Sequence, residues 1–315
     1  MKVTLVVTVF NEIGSIESFL DSVLKQTKLP DEFTIVDGGS TDGTVNAIKS
    51  FQKKYKWLKL MVVKNASRGK GRNIAIKNAK NELIAVTDGG CVLDKNWLKN
   101  IVEPFKEGYE VVIGYYKPFY QTDFQFFCGY LMVPKKINET VRISSRSLAF
   151  KKHVWKETGG YEENVDVGED TLFHFRIHEG NYKTMLQSNA FVYWQMPKNS
   201  KELFTKFLKY GAGHWQTVKL KGFRKFMILI LGSYAYFLSI IGSLLTLNTN
   251  FLFFLISLFL IASVYVGIKG SISTNNPKSL IYLPYLFFLK NFAYVAGFTF
   301  KKAVYRRWRL MKSKV

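Results

Sequence analysis

From Phe226 to Leu247 the chain carries no charged side chain, and after the polar turn Asn248-Thr249-Asn250 it runs uncharged again from Phe251 to Ile268. Roughly 20 consecutive apolar residues are enough to cross a bilayer as a helix. Within lipid every backbone amide and carbonyl must find its partner inside the structure, so such runs are held to helices. The two runs predict a helical hairpin over 226–268 with both ends on one side. A third apolar segment, 280–300, is interrupted by Pro284 and Lys290 and leads into the basic stretch KKAVYRRWRLMKSK. Basic flanks stay cytoplasmic, and three crossings would export that tail. The expectation is therefore a re-entrant or interfacial third segment, with a true third span as the alternative, since interrupted helices do cross membranes.

Upstream, charges and turn residues alternate with short apolar runs. This predicts two domains: a soluble one over 1–222, divided into halves 1–115 and 116–222, and a membrane domain over 223–315. The run Val3 to Phe10 is too short for a secretory signal and reads as a first strand. Cys91 and Cys128 are too few for a disulfide framework and lack metal-ligand spacing, so they read as buried thiols. The 45 Lys+Arg against 23 Asp+Glu give a formal charge of +22. That excess suits nucleic acid, an anionic membrane or a phosphorylated substrate. Beside membrane segments, lipid head groups are the simplest partner. No nucleic-acid module interleaves aromatic and basic residues here, so nucleic acid is not an expected partner.

Over the first 115 residues strands and amphipathic helices alternate: KVTLVVTVF, EFTIVD, LKLMVV, ELIAVTD and EVVIGYY as strands, with helices between them. The pattern predicts an α/β fold, a mostly parallel sheet flanked by helices, followed by an all-α membrane region. Ligands of such sheets bind beyond the carboxyl ends of the strands. Acidic groups fall there: Glu12 beside Asn11 after strand one, Asp37 after strand two and Asp88 after strand four. SRGKGRN (67–73) adds three cations and two glycines at a helix start, where anions are favoured. It lacks the third glycine of a dinucleotide fingerprint. Glu169 and Asp170 open another helical stretch, where helix N-terminal charge is the structural alternative. The four histidines form no zinc pattern.

Four motifs in order, TVFNE (8–12), VDGGSTDGT (36–44), GKGRNIAIKNAKNELIAVTDGG (69–90) and GGYEENVDVGEDTLFHFRIHEG (159–180), resemble those of family 2 inverting glycosyltransferases with the GT-A fold. The likeness covers about the first 215 residues. It implies a nucleotide-sugar site built from Val9, Asn11, Glu12, Asp37, Lys70, Arg72 and Asp88. Asp37 would meet the nucleobase and Glu12 would lie near the nucleoside, while Asp42 caps the next helix. It also implies Asp170 as catalytic base, with Glu169 orienting it or binding acceptor. Family members usually place a second carboxylate near Asp88, and here the pattern is Asp88-Gly89-Gly90. One carboxylate and the donor phosphates suffice in principle for Mg²⁺ or Mn²⁺, because Mg²⁺ keeps several waters. Asp94 is expected to cap the helix after it, with a contribution to the cation as the alternative.

The amphipathic stretch KNSKELFTKFLKYGAGHW puts Leu203, Phe204, Phe207 and Leu208 on one face, suited either to a lipid interface or to packing on its own domain. The expected protein is thus a multi-pass membrane enzyme with its catalytic domain in the cytoplasm. It would move a sugar from a UDP- or GDP-sugar to a polyprenyl phosphate, lipid-linked saccharide or other glycan acceptor. Two alternatives stand beside it. A processive polysaccharide synthase would need more spans, and its Gln-x-x-Arg-Trp motif is not evident, Arg307-Trp308 lying past the membrane segments. A non-catalytic sugar-nucleotide-binding membrane protein is the other.

Overall fold

The computed structural model describes residues 1–134, 144–165, 167–218 and 224–304. Arg307, Trp308 and the rest of the basic tail from 305 lie outside these residues. The described residues divide into two compact units, one of residues 1–120 and 133–196, the other of 121–132 and 197–304.

The first unit is built on an eight-stranded sheet. Its opening half alternates β1 (Val3–Val9), α1 (Ile16–Leu24), β2 (Glu32–Asp37), α2 (Thr44–Lys54), β3 (Leu58–Val62), α3 (Arg68–Lys77) and β4 (Leu83–Asp88). These four strands pair in parallel in the order β3-β2-β1-β4. Helices cover both faces, so β1 and β2 are buried almost throughout and read as near-continuous apolar runs. Val6, Val36, Ile84 and Val86 meet Ala75 and Ile76 of α3 in a core completed by Phe150, Tyr161 and Phe173.

The second half is β5 (Cys91–Leu93), α4 (Trp97–Val102), β6 (Val111–Phe119), β7 (Leu148–Lys151), α6 (Lys152–Glu157), α7 (Glu169–Glu179) and β8 (Thr184–Gln195). The full order is β3-β2-β1-β4-β7-β6-β8-β5. β7 runs antiparallel to both β4 and β6, and β5 antiparallel to β8, while β6 and β8 are parallel. The sheet is therefore mixed around a parallel majority. A four-residue strand such as β7 leaves too little pattern to be read in advance. At the β6–β8 irregularity Gly114 is obligatory, because a Cβ there would lie 1.9 Å from Ser147 Oγ and 2.3 Å from the Ala190 carbonyl. Both cysteines are buried free thiols.

Register lines up the strand ends. Val9 stands opposite Asp37, and Thr8 opposite Asp88, so the residues after β1, β2 and β4 open on one edge of the sheet.

The second unit contains α5 (Asp123–Met132), α8 (Ser200–Val218), α9 (Arg224–Leu245), α10 (Thr249–Thr274) and α11 (Ser279–Thr299). The amphipathic helix α8 packs on α11. A Cβ on Gly211 would lie 1.9 Å from the Tyr294 carbonyl and one on Gly297 2.0 Å from that of Leu208, so the two backbones touch through glycines. His214 Nδ1 and Tyr294 Oη, 2.9 Å apart, tie the same pair. The segment expected to be interrupted is one unbroken helix. Pro284 is accommodated inside α11, and the Lys290 ammonium stands 5.6 Å from the Phe207 ring and 5.7 Å from that of Phe287. Aromatic faces offer that cation a partner where lipid would not. Among the described residues the two helices long and apolar enough to cross a membrane are α10 and α11, joined at 275–278, and the stretch 226–268 of the expected hairpin is helical as α9 and α10. α10 exposes Phe253, Leu260, Ile261 and Tyr265, and its N-terminus is capped by Asn248, whose side chain accepts from the Phe251 amide.

Candidate active site

Asp37 ends β2 with no exposed surface. Its Oδ1 accepts from the amides of Gly39 (2.8 Å) and Ser40 (2.7 Å), a turn that Gly39 permits with φ +97°. Its Oδ2 is buried and has no hydrogen-bond partner. A buried acceptor left open costs about 1–3 kcal/mol, a cost that a ligand N–H would remove. The β1 loop is laced to this turn. Asn11, at φ +55°, donates its amide to Ser40 Oγ and accepts from the Thr41 amide, and the Val9 carbonyl accepts from Gly38. The Glu12 amide donates to Thr44 Oγ1, and Ser15 Oγ donates to Glu12 Oε2 at 2.7 Å. Asp42 accepts from the Thr44 amide and hydroxyl and from Ile13, one residue before the N-cap of α2, which is Gly43 rather than the expected Asp42.

The helix α3 begins earlier than its sequence suggests. Ser67 caps it, accepting from the Lys70 amide, so the basic run forms the first turns of the helix. The glycines in that run serve packing. A Cβ on Gly69 would lie 2.1 Å from the Glu162 carbonyl, and one on Gly71 2.9 Å from Thr8 Cγ2. Lys70 is exposed, whereas Arg72 is buried. The Arg72 guanidinium donates from Nη1 to Glu169 Oε1 and from Nη2 to Asp88 Oδ1, both at 2.7 Å, beneath the Tyr161 ring. Burial opposes its charge, yet Asp88 and Glu169 raise its pKa further. Through its two terminal nitrogens Arg72 orders two carboxylates, while its buried Nε has no hydrogen-bond partner.

Asp88 closes β4. Burial pushes its pKa up, but Arg72, Arg146 and Arg68 outweigh that and hold the carboxyl below its ordinary value. Arg146 escaped the sequence reading. The pairing of Val86 with Leu148, continued two residues, sets Arg146 against Asp88. Its Nε lies 3.9 Å from Asp88 Oδ2, its Nη1 donates to Ser144, and its guanidinium stacks 3.9 Å from the Trp194 ring and 5.2 Å from that of Tyr116. Only an antiparallel β7 brings that arginine to the strand end, and the sequence gives no periodic signal for β7.

α7 starts at Glu169, after Gly168 in the left-handed region. Glu169 is buried with Oε1 on Arg72 and Oε2 without a partner. Asp170 is half-buried and accepts from the Thr171 amide. Burial first, then the neighbouring Glu169 charge, raises its pKa against the pull of Arg146 and Arg72. A carboxylate so placed can take a proton near neutrality more readily than an ordinary aspartate.

The two glycines after Asp88 differ. A Cβ on Gly89 would strike Val9 Cγ1 at 2.6 Å, so that position is closed to side chains. On Gly90 a Cβ would sit in ordinary contact with Glu12, 3.6 Å from Oε2 and 3.9 Å from Oε1. Among the described residues no group of three or more His, Cys, Asp or Glu is gathered for a metal. Asp94 accepts from the Asn96 amide and its carbonyl from Trp97, which commits it to the start of α4. At the edge Asp88 offers hard carboxylate oxygen, and the Glu12 carboxylate stands by Gly90. That suits Mg²⁺ or Mn²⁺, which one or two carboxylates hold together with substrate phosphates.

Residues 4–160 match the family described as Glycosyl transferase family 2. Over 232 residues the chain is 24% identical to the O-antigen chain rhamnosyltransferase RfbN of Salmonella typhimurium, covering 68% of this chain and 73% of that one. It is 21% identical over 243 residues to the poly-β-1,6-N-acetyl-D-glucosamine synthase of Staphylococcus epidermidis, covering 70% of this chain and 58% of the relative. The mannosyltransferase PcManGT from Pyrobaculum calidifontis, solved in complex with GDP-Man and Mn²⁺, shares the fold with a TM-score of 0.58 at 18% identity, over 94% of this chain and 85% of that one.

Proposed function

The chain is a family 2 glycosyltransferase of the GT-A fold, and from that premise we propose that it transfers a sugar, with inversion, from a UDP- or GDP-sugar to a hydroxyl of a membrane-presented glycan acceptor. The observation that carries the reading is the ordering of Asp88 and Glu169 by one buried guanidinium, with Asp170 beside them on α7. Asp37 Oδ2, buried and open, accepts from the nucleobase, and Asn11 and Val9 shape the nucleoside end. Asp88, with the donor's phosphates, holds a divalent cation. When bound, that cation neutralises charge developing on the departing diphosphate. Arg146, held flat on Trp194, faces the same diphosphate, and Lys70 stands at the exposed helix start for long-range attraction. Asp170 takes the acceptor's proton as the new glycosidic bond forms.

A base favours an acceptor that has a proton to lose. A lipid-linked saccharide hydroxyl fits better than a polyprenyl phosphate, whose oxygen is already ionised. α10 and α11, long and apolar enough for a bilayer, support anchoring near such an acceptor, and an anchor raises the effective concentration of enzyme around it. We place the catalytic domain in the cytoplasm, where nucleotide sugars are made. The test uses full-length protein in native lipid with a panel of radiolabelled UDP- and GDP-sugars. Label should enter the lipid fraction from one of them, and Asp170→Asn should stop transfer while donor binding persists. Normal transfer by Asp170→Asn would refute the assignment of the base.

A further inference from the structure

The cation site outlined above raises a question of charge. Asp88 is one carboxylate, already in contact with a buried arginine, and the position two residues on, where a second could stand, is Gly90. The surroundings of Gly90 supply an answer. A Cβ built there would have both oxygens of the Glu12 carboxylate within 4 Å, at 3.6 and 3.9 Å. Ordinary bond lengths put an aspartate's own carboxylate oxygens roughly 2.4 Å from its Cβ. The Glu12 carboxylate therefore stands about 1.2–1.5 Å beyond the reach of a carboxylate borne by position 90, and it comes from the loop after β1 rather than from the loop after β4. It is held there from three sides. Its backbone amide donates to Thr44 Oγ1, its carbonyl accepts from the Ser15 and Ile16 amides at the start of α1, and Ser15 Oγ donates to Oε2.

We propose that Glu12 supplies through space the second cation-binding carboxylate that position 90 lacks, so that Glu12 and Asp88, on the ends of neighbouring strands, together hold the divalent cation with the donor's phosphates. This rests on the metal-assisted reading of the same site and changes the part of Glu12 from nucleoside contact to cation ligand. The glycine then has a reason of its own: without a side chain at 90, the longer glutamate can occupy the space. The neighbouring Gly89 cannot take over, because Val9 fills its Cβ position at 2.6 Å.

The inference is tested by moving the carboxylate from one strand end to the other. Full-length protein in detergent is titrated with Mn²⁺ in the presence of UDP and, separately, GDP, with free Mn²⁺ read by electron paramagnetic resonance. Nucleotide binding without metal is read by calorimetry. Glu12→Gln keeps the size and the bond from Ser15 and should weaken Mn²⁺ binding roughly 10–100-fold, the scale seen when a metal's surroundings lose a supporting group. Adding Gly90→Asp to Glu12→Ala, which clears the space that the residue-12 side chain fills, should restore the affinity to within a few-fold. Metal-free nucleotide binding should stay unchanged in both variants. Should Glu12→Gln fail to fold, Glu12→Asp keeps the charge and draws the carboxylate back from position 90, and it should weaken Mn²⁺ several-fold.

Unchanged Mn²⁺ affinity in Glu12→Gln, with weaker metal-free nucleotide binding, would overturn the proposal and return Glu12 to the nucleoside. Failure of Gly90→Asp to rescue would overturn it too. If the unmodified protein binds no Mn²⁺ with either nucleotide, this proposal and the metal half of the proposed function fall together. If it binds Mn²⁺ and Glu12 does not matter, only this proposal falls.

Discussion

Replacing Arg72 with Met removes the charge that orders the site and keeps nearly the same volume. Arg72 makes two ion pairs at 2.7 Å, one to Glu169, which is buried to the same degree, and one to Asp88, whose side chain is 28% exposed. Breaking a buried pair by deleting one partner costs about 3–5 kcal/mol, because the remaining charge is left in a poor medium. Glu169 Oε2 already lacks a partner, so the variant would leave that carboxylate with none. The Asp88 pair, closer to water, adds about 1–2 kcal/mol of lost charge-assisted bonding. Water reaching the vacated site recovers part of this, and the net expectation is about 4 kcal/mol. At roughly 2–4 °C per kcal/mol for a domain of this size, the melting temperature should fall by about 8–16 °C. The pH dependence has a definite sign. Asp88 is held below its ordinary value of 3.8 in the folded protein, so its contribution is full above that value and is lost as pH falls through the folded pKa. The gap between parent and variant must therefore narrow in acid. Thermal melts followed by tryptophan fluorescence at neutral pH and at about pH 3, below the ordinary aspartate value, check both statements, and Arg72→Met/Glu169→Gln should recover most of the loss. A fall under about 3 °C, or a gap that widens in acid, would refute the reasoning.

Three further outcomes follow from the same geometry. The acid limb of the pH–rate profile should lie above the ordinary aspartate range of 3.8, because burial and Glu169 raise Asp170; Asp170→Asn should lower kcat by about 10²–10⁴, measured as transfer at saturating donor. Glu32, buried in β2, accepts from Thr4 Oγ1, Lys59 Nζ and the Lys80 amide at 2.7–2.8 Å. Its pKa is lowered despite burial, so Glu32→Ala should cost about 2–3 kcal/mol near neutrality and progressively less as pH falls below 4.5, by chemical denaturation. Gly69→Ala would drive a methyl to 2.1 Å from the Glu162 carbonyl, parting α3 from the segment that leads to α7. Stability should fall by about 1–3 kcal/mol and transfer should fall with it, whereas Gly14→Ala, with open space around it, should leave both unchanged.

What the sequence revealed and what it hid divide along physical lines. β1 to β4 are buried on both faces and linked by helices with clear apolar spacing, so they and the residues at their ends could be read directly, Asn11, Glu12, Asp37 and Asp88 among them. β5 and β7 are three and four residues long, below the length at which alternation becomes a signal. With β7 unseen, nothing indicated that Arg146 would face Asp88. Gly69 and Gly71 weaken the helical signal at the start of α3, because glycine is a poor helix former. Close packing against Thr8 and Glu162 repays that weakness and only becomes visible in three dimensions. The same holds for α11, where Pro284 and Lys290 read as interruptions. Glycine-mediated contact with α8 and the rings of Phe207 and Phe287 keep that helix whole.

The division of labour between the site's aspartates follows from the company each keeps. Asp88 faces Arg72 and Arg146, with Arg68 further out, and the three outweigh its burial, so it stays ionised as a fixed negative charge. Asp170 sits within reach of the same two arginines, yet burial and the adjoining Glu169 prevail and its pKa moves the other way. Two carboxylates of one site pushed apart in this manner take different parts, the lower one as charge and the higher one as proton acceptor. Arg72 links the two settings, because the guanidinium that lowers Asp88 also holds Glu169, whose charge raises Asp170. Neutralising Glu169 as Gln should thus lower the acid limb of the transfer reaction toward an ordinary aspartate value even though Glu169 takes no proton itself, and a limb that did not move would assign the raised pKa of Asp170 to burial alone.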